Sequence, residues 1–373
     1  MKKSLLIIIG LIIVVAIVVG VVLTQRPTRK EPEVYKIGAI LPLTGKGASY
    51  GERAQRGLNL AFEDIKKKMP ELRLKLLYED SKFPEIKEAI SAYHKLRSSY
   101  NIPVVITLSS DVSLAISPLA NQDKVLQMAI VASTPAYTSS GDFTFRTTTR
   151  AEQEDKELAK AITSHYKKIA LIYNNNERGL GHRNVLKREI ERLDGEIVIE
   201  EAISPKGLDF RSHLMKIKER NPEAICIVAE PRNIGLILKQ AEELGIKSQF
   251  FGTRSVEHKD VISIAGKSAE GIIYTFSFDP KSDNPLVRDV VERYREKYGE
   301  IPDYVAAEAY DALMLIANAL NKCGKDTECM KEYLFGIKYT GLLGSLTFDE
   351  NGDVFYSYRL KTIRNGQFVP YKK

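Results

Sequence analysis

From residue 34 to about residue 250 the sequence alternates short, continuous apolar runs with longer amphipathic stretches, and it does so in two series. In the first series Tyr35–Leu41 (YKIGAIL), Arg73–Tyr78, Val104–Leu108 and Met128–Ala132 read as strands. Ala54–Lys68, Pro84–Ser98 and a stretch ending near Asn121 read as the helices between them. Leu58, Ala61, Phe62 and Ile65 share one face of the first helix. The pattern then restarts. Helices are expected at Glu152–His165, Leu180–Leu193, Phe210–Arg220 and Ile234–Leu244, and strands at Lys168–Tyr173, Glu196–Glu201, Ala224–Ala229 and Gln249–Gly252. A strand that is apolar on both faces must be covered on both sides, and its parallel neighbour is reached through a crossover helix. The fold class expected is therefore α/β, with two doubly wound parallel-sheet lobes.

The C-terminal third does not start a third series. It reads as helices at Asn284–Lys297 and Tyr304–Leu320, then a strand, a turn and a strand over Thr347–Asp353 and Phe355–Thr362. These elements complete lobes already begun, which predicts 34–147 plus 278–343 for the first lobe and 148–277 plus 344–373 for the second. Such a chain crosses between lobes more than once and has a multi-strand hinge. Open parallel sheets bind ligands at the carboxyl ends of their strands. The loops to inspect are 42–51, 109–111, 133–137, 174–181, 230–233 and 253–257.

The first of these loops holds Gly45, Gly47 and Gly51, but the spacing is not that of a dinucleotide fingerprint, and no acid ends the second strand at the required distance. No His-Glu-x-x-His or Gly-x-Ser-x-Gly motif is present. Of the five histidines, His94, His165 and His213 fall in polar helical surroundings, while His182 and His258 fall in or near cleft loops. An enzyme is not expected, and neither is a cofactor or a metal. Cys226 reads as a buried strand residue. Cys323 and Cys329 flank a short polar stretch and read either as a small-loop disulfide or as two free thiols. They lack a nearby histidine to complete a zinc shell.

Residues 1–30 carry five of the seven net positive charges, which leaves +2 on everything that follows. A nucleic-acid binder concentrates its basic residues on the folded domain, so nucleic acid is set aside as a partner. The charges flank Leu5–Leu23 (LLIIIGLIIVVAIVVGVVL), which is long and apolar enough to cross a bilayer. The expectation is an N-terminal transmembrane helix that stays attached; the competing reading is a cleaved signal peptide. No cysteine near its end supports lipoprotein processing.

Taken together, IGAILPLTGKGASYGERAQRGLNLAFEDI at 37–65, Tyr78-Glu79-Asp80, Leu108-Ser109-Ser110 with Ser117-Pro118, Phe145-Arg146-Thr147, Phe250-Phe251-Gly252, Ala269-Glu270-Gly271 and Phe348-Asp349 with Asn351-Gly352-Asp353 follow one another in a familiar order. This ordered set resembles the branched-chain amino acid binding proteins, the type I periplasmic binding family, over nearly everything after residue 34. The resemblance implies an extracytoplasmic solute-binding protein of an ABC importer, with permease subunits as partners and an amino acid or related small carboxylate as ligand. It places the ligand carboxylate on Ser109, Ser110, Ser133 and Thr134, and Tyr50 against the ligand. Ser110-Asp111 opens a helix whose free N–H groups and dipole favour an anion; Ser109 and Ser110 also read as helix caps.

Two positions depart from the amino acid binders. The acid that pairs with the ligand ammonium after the Phe-Gly segment is replaced by Arg254, and the tyrosine before glycine in the second lobe's first loop is replaced by Arg178. An arginine there suits a carboxylate, which predicts an acidic or neutral group at that end of the ligand unless Glu230, at the end of its strand, takes an ammonium. The alternative function is a ligand-sensing receptor acting through a membrane partner, since only about four residues precede the apolar segment.

Overall fold

The structure is a computed structural model that describes residues 33–139 and 143–372, without the side chains of Lys46, Thr138 and Ser139. The apolar segment Leu5–Leu23 lies outside the described residues.

The first lobe carries β1 (Val34–Leu41), α1 (Ala48–Lys68), β2 (Arg73–Asp80), α2 (Ile86–Tyr100), β3 (Val104–Leu108), α3 (Ser110–Gln122), β4 (Leu126–Ile130) and β5 (Thr144–Arg146). Its sheet has the order β2-β1-β3-β4-β5, with parallel β1–β3, β3–β4 and β4–β5 ladders. The second lobe carries α4 (Ala151–Thr163), β6 (Lys168–Asn174), α5 (Glu177–Arg192), β7 (Glu196–Ile203), α6 (Arg211–Glu219), β8 (Ala224–Val228), α7 (Pro231–Glu243), β9 (Gln249–Gly252), α8 (Lys259–Ala265) and β10 (Ile273–Phe276). Its strands run β7-β6-β8-β9-β10 in parallel, the same order as the first sheet. An antiparallel pair, β13 (Arg359–Arg364) and β14 (Gln367–Pro370), extends the β10 edge. Wholly buried strands such as β3, β4 and β8 are the continuous apolar runs of the sequence, covered by helices on both faces.

The chain returns to the first lobe through α9 (Pro285–Tyr298), α10 (Tyr304–Cys323), α11 (Thr327–Phe335) and the hairpin β11 (Tyr339–Gly341) and β12 (Gly344–Leu346). A disulfide joins Cys323 to Cys329 and ties the end of α10 to α11, and Cys226 is a buried free thiol. Of the strand, turn and strand expected from Thr347 onwards, the turn is present but the first strand shrinks to one bridge. Asp349 accepts from the N–H groups of Asn351 and Asp353, and only a single bridge joins Phe348 to Val354. That carboxylate supplies the backbone with a local partner in place of a ladder. Leu346, Phe348 and Val354 lie in the first lobe's core, so the last crossing follows Val354 and comes later than the boundary at 344. Three segments thus link the lobes: 147–150, 277–284 and 355–358.

Helix α10 is buried along nearly its whole length and packs on α1. Their closest approach is at Gly57, where a Cβ would sit 2.2 Å from the Ala306 carbonyl oxygen. Only glycine allows that separation. Gly57→Ala is expected to push the helices apart and to destabilise the fold by about 1–3 kcal/mol, seen as a lower urea midpoint with an unchanged slope.

Candidate functional site

A five-strand parallel sheet of order 2-1-3-4-5 has its switch point between strands 1 and 3, where crossovers leave in opposite directions and open a crevice. In the first lobe that point lies between the ends of β1 and β3; in the second it lies between β6 and β8. The two crevices face each other. They enclose one cavity of about 30 Å³ lined by Pro42, Gly47, Tyr50, Phe83, Leu108, Ser109, Ser110, Asp111 and Val131 from the first lobe and by Arg178 and Glu230 from the second. Grooves of about 440, 270 and 270 Å³ are larger, but the first lies at the hinge and the other two on the second lobe's outer edge, away from both switch points.

The first-lobe wall is made of strained backbone. Ser109 has φ +86° and Val131 has φ +55°, each in the residue that follows a strand. Positive φ is uncommon outside glycine, costs about 1–3 kcal/mol and clusters at ligand sites. Val131 N–H donates to Glu308 Oε2 at 2.7 Å and Ser109 N–H to the Ile130 carbonyl at 3.2 Å, so neighbouring groups hold both distortions. The Ser109 hydroxyl accepts from Val112 N–H and caps α3, while the Ser110 hydroxyl accepts from Thr134 N–H.

The remaining wall is charged. Burial pushes the Glu230 carboxyl up from its ordinary range; Arg178, Tyr50 and Arg53 oppose the shift, and Asp111 adds to it. Burial likewise raises Asp111, against a hydrogen bond of 3.1 Å from Glu177 N–H of the other lobe. Arg178 spends its donors locally, with 2.8 Å contacts to the hydroxyls of Thr253 and Ser255 and a long contact to the Ala229 carbonyl.

Of the residues expected at the site, Tyr50, Ser109, Ser110, Arg178 and Glu230 come together at the cavity. Ser133 and Thr134 are buried behind it. Ser133 pairs with His182 at 2.8 Å, and the Thr134 carbonyl accepts from Arg146. Arg254 lies outside the cavity. Its guanidinium donates to the Tyr358 hydroxyl at 2.6 Å, lies 3.6 Å from Glu308 and 4.0 Å from Glu154, and covers the Tyr304 ring. Burial would lower its pKa, but Tyr358, Glu308 and Glu154 outweigh burial and hold it above the ordinary value. The expectation that Arg254 presents a free cation to the ligand is therefore corrected: acids from both lobes consume its charge. Sequence reasoning missed Phe83 and Val131, and saw Asp111 only as a helix opener.

Ser133, His182 and Asp155 form a hydrogen-bonded row, with His182 Nδ1 2.8 Å from Asp155. The atoms are spaced as in a hydrolytic triad, but all three residues are buried and none lines the cavity. The row is a contact between the lobes.

The model of one family, described as periplasmic binding protein, matches residues 34–367. The chain belongs to that family. Among its relatives, the Leu/Ile/Val-binding protein homolog 1 of Brucella suis is 27% identical over 326 residues, 85% of this chain and 86% of the relative. The leucine-, isoleucine-, valine-, threonine- and alanine-binding protein of Pseudomonas aeruginosa is 26% identical, covering 86% and 87%. The crystal structure of a leucine binding protein, LivK, from Thermotoga maritima superposes with a TM-score of 0.84 at 26% identity over 91% of this chain and 98% of that one. A Rhodopseudomonas palustris solute binding protein in complex with benzoate shares the fold at 20% identity and a TM-score of 0.84, over 91% and 95%. The resemblance to the branched-chain amino acid binding proteins read from the sequence stands.

Arg254 ties the lobes together, so its loss acts on stability. Arg254→Leu leaves Glu154 and Glu308 buried without their cation, which is expected to cost about 3–5 kcal/mol, measured by chemical denaturation without ligand.

Proposed function

We propose that this periplasmic binding protein is the extracytoplasmic solute-binding subunit of an ABC importer, and that it captures an α-amino acid or a closely related small carboxylate by closing its two lobes. The observation that carries the reading is the meeting of both switch points at one cavity, walled by the α3 N-terminus with Asp111 on one side and by Glu230 and Arg178 on the other. The carboxylate of the ligand fits the opening turn of α3, where Ser109, Ser110 and free N–H groups favour an anion. The ammonium fits Glu230, whose position at the start of α7 replaces the acid that amino acid binders carry after the Phe-Gly segment. Asp111 reinforces it from the other lobe. The names of the relatives agree with this class. A cavity of about 30 Å³ has room for about one water, so a ligand of amino acid size enters only as the lobes part.

Placement outside the cytoplasm is supported by the family and by the Cys323–Cys329 disulfide, since disulfides persist in oxidising compartments. We assign Leu5–Leu23 as an uncleaved anchor, and the permease subunits as partners, on the reading of the sequence. The mature protein is expected to begin before residue 5 and to resist salt extraction from membranes; N-terminal sequencing that starts after residue 23 refutes the anchor.

The ligand class is tested by a thermal-shift screen of amino acids, their deaminated analogues and aromatic acids, because a ligand that binds only the folded state stabilises it by about 2.7 kcal/mol at a hundred times Kd. An amino acid is expected to raise Tm while its deaminated analogue does not. Glu230→Gln is expected to weaken binding by roughly ten- to a hundredfold, the worth of a charge-assisted pair. Tight binding of an aromatic acid, unaffected by Glu230→Gln, overturns the amino acid assignment.

A further inference from the structure

His258 belongs to the second lobe but is packed by the first. Its Nδ1 accepts from Asp260 N–H at 3.1 Å and caps α8, while its Nε2 lies 3.0 Å from the Ser49 hydroxyl in the first turn of α1. The Tyr50 ring stacks on it at 6.3 Å, and Arg53, on the next turn, lies over the Tyr50 ring at 4.6 Å. The residue is buried. These contacts fix the tautomer: Nδ1 must be bare to receive the Asp260 N–H, and the single ring proton sits on Nε2 and donates to Ser49. A second proton would turn Nδ1 into a donor aimed at a donor.

We propose that lobe closure is linked to proton release at His258, so that the closed form takes only the neutral imidazole and mild acid opens the cleft. Of the charges around the ring, the cations agree and the one nearby carboxylate, Asp260, opposes but is screened by solvent. The first lobe contributes the α1 N-terminus, which disfavours a cation, and Arg53, itself paired with Asp303. The second lobe contributes Lys259, held by Glu300 of the first lobe at 3.2 Å, and Asp260, whose carboxylate is 3.6 Å away and half in solvent. Burial first, then Arg53 and Lys259, push the His258 pKa down to about 3.

Opening the lobes removes Ser49, Tyr50 and Arg53 from the ring and returns it to water, where a histidine titrates near its ordinary value of about 6.5. The closed-state pKa is the lower one. The contribution to closure is therefore complete above about pH 6.5 and is lost as the pH falls below it. Between pH 7.5 and 5.0 one such group lowers the closed-to-open ratio by roughly thirtyfold. Asp111 and Glu230, both raised in the closed form, act with the opposite sign, so the effect of His258 is read against a variant that lacks it.

The test needs no ligand, and its failure leaves the transport reading untouched. Nitroxides placed at exposed positions by Lys87→Cys on α2 and Ser212→Cys on α6 report the distance across the cleft by double electron–electron resonance. The full chain is measured in detergent at pH 7.5, 6.0 and 5.0. The closed-distance fraction is expected to fall with acid, and His258→Gln, whose amide can still donate to Ser49, is expected to remove roughly thirtyfold of that fall. Ser49→Ala, which spares His258, is expected to lower the closed fraction severalfold at pH 7.5. An identical pH response with and without His258, or a closed fraction indifferent to Ser49, overturns the proposal.

Discussion

Parallel strands cannot be joined by tight turns, and that constraint arranges everything else in this protein. Each strand end must hand the chain to a crossover helix on one face or the other. Where successive crossovers choose opposite faces, no helix covers the strand ends, and a crevice of loops and helix N-termini remains. The chain makes this crevice twice, with the same strand order, and lets the two copies cover one another. Polar residues that no helix could bury, Ser109 and Ser110 on one side and Arg178 and Glu230 on the other, are thereby sheltered only when the lobes meet.

This explains where the structure is tight and where it is not. Within each lobe the contacts are apolar and continuous, as in the packing of α10 on α1 and of α7 and α4 on the second sheet. Between the lobes they are polar and discrete: Ser133 with His182, Ser49 with His258, Asp111 with Glu177, Arg254 with Glu308, and Lys206 with Glu85. An apolar interface of this size would hold the lobes shut. Hydrogen bonds and ion pairs that water can replace cost little to break, so the equilibrium stays within reach of a ligand's differential affinity for the two forms.

The strand and helix series were legible because burial on both faces leaves a continuous apolar run that survives in sequence. The site was legible only as a set of loops. Tyr50, Ser109, Ser110, Arg178 and Glu230 could be placed because each follows a strand that could be placed. Arg254 was misread because its fate depends on Glu308, more than fifty residues away on a helix of the other lobe, and sequence carries no trace of that distance. The same holds for Val131: nothing in Ile-Val-Ala announces a left-handed backbone, which the Glu308 carboxylate enforces from outside. The strand expected to begin at Thr347 was read too long because residue type does not show where a carboxylate such as Asp349 will take the backbone N–H groups.

Glu308 then emerges as a residue with three tasks. It accepts from Val131 N–H and holds the strained end of β4 at the cavity; Thr148 in the first crossing donates to it; and it faces Arg254 across the lobe boundary. Burial raises its carboxyl, and Arg254 pulls it back towards the ionised form. The shape of the ligand wall and the state of the hinge are thus joined through one carboxylate.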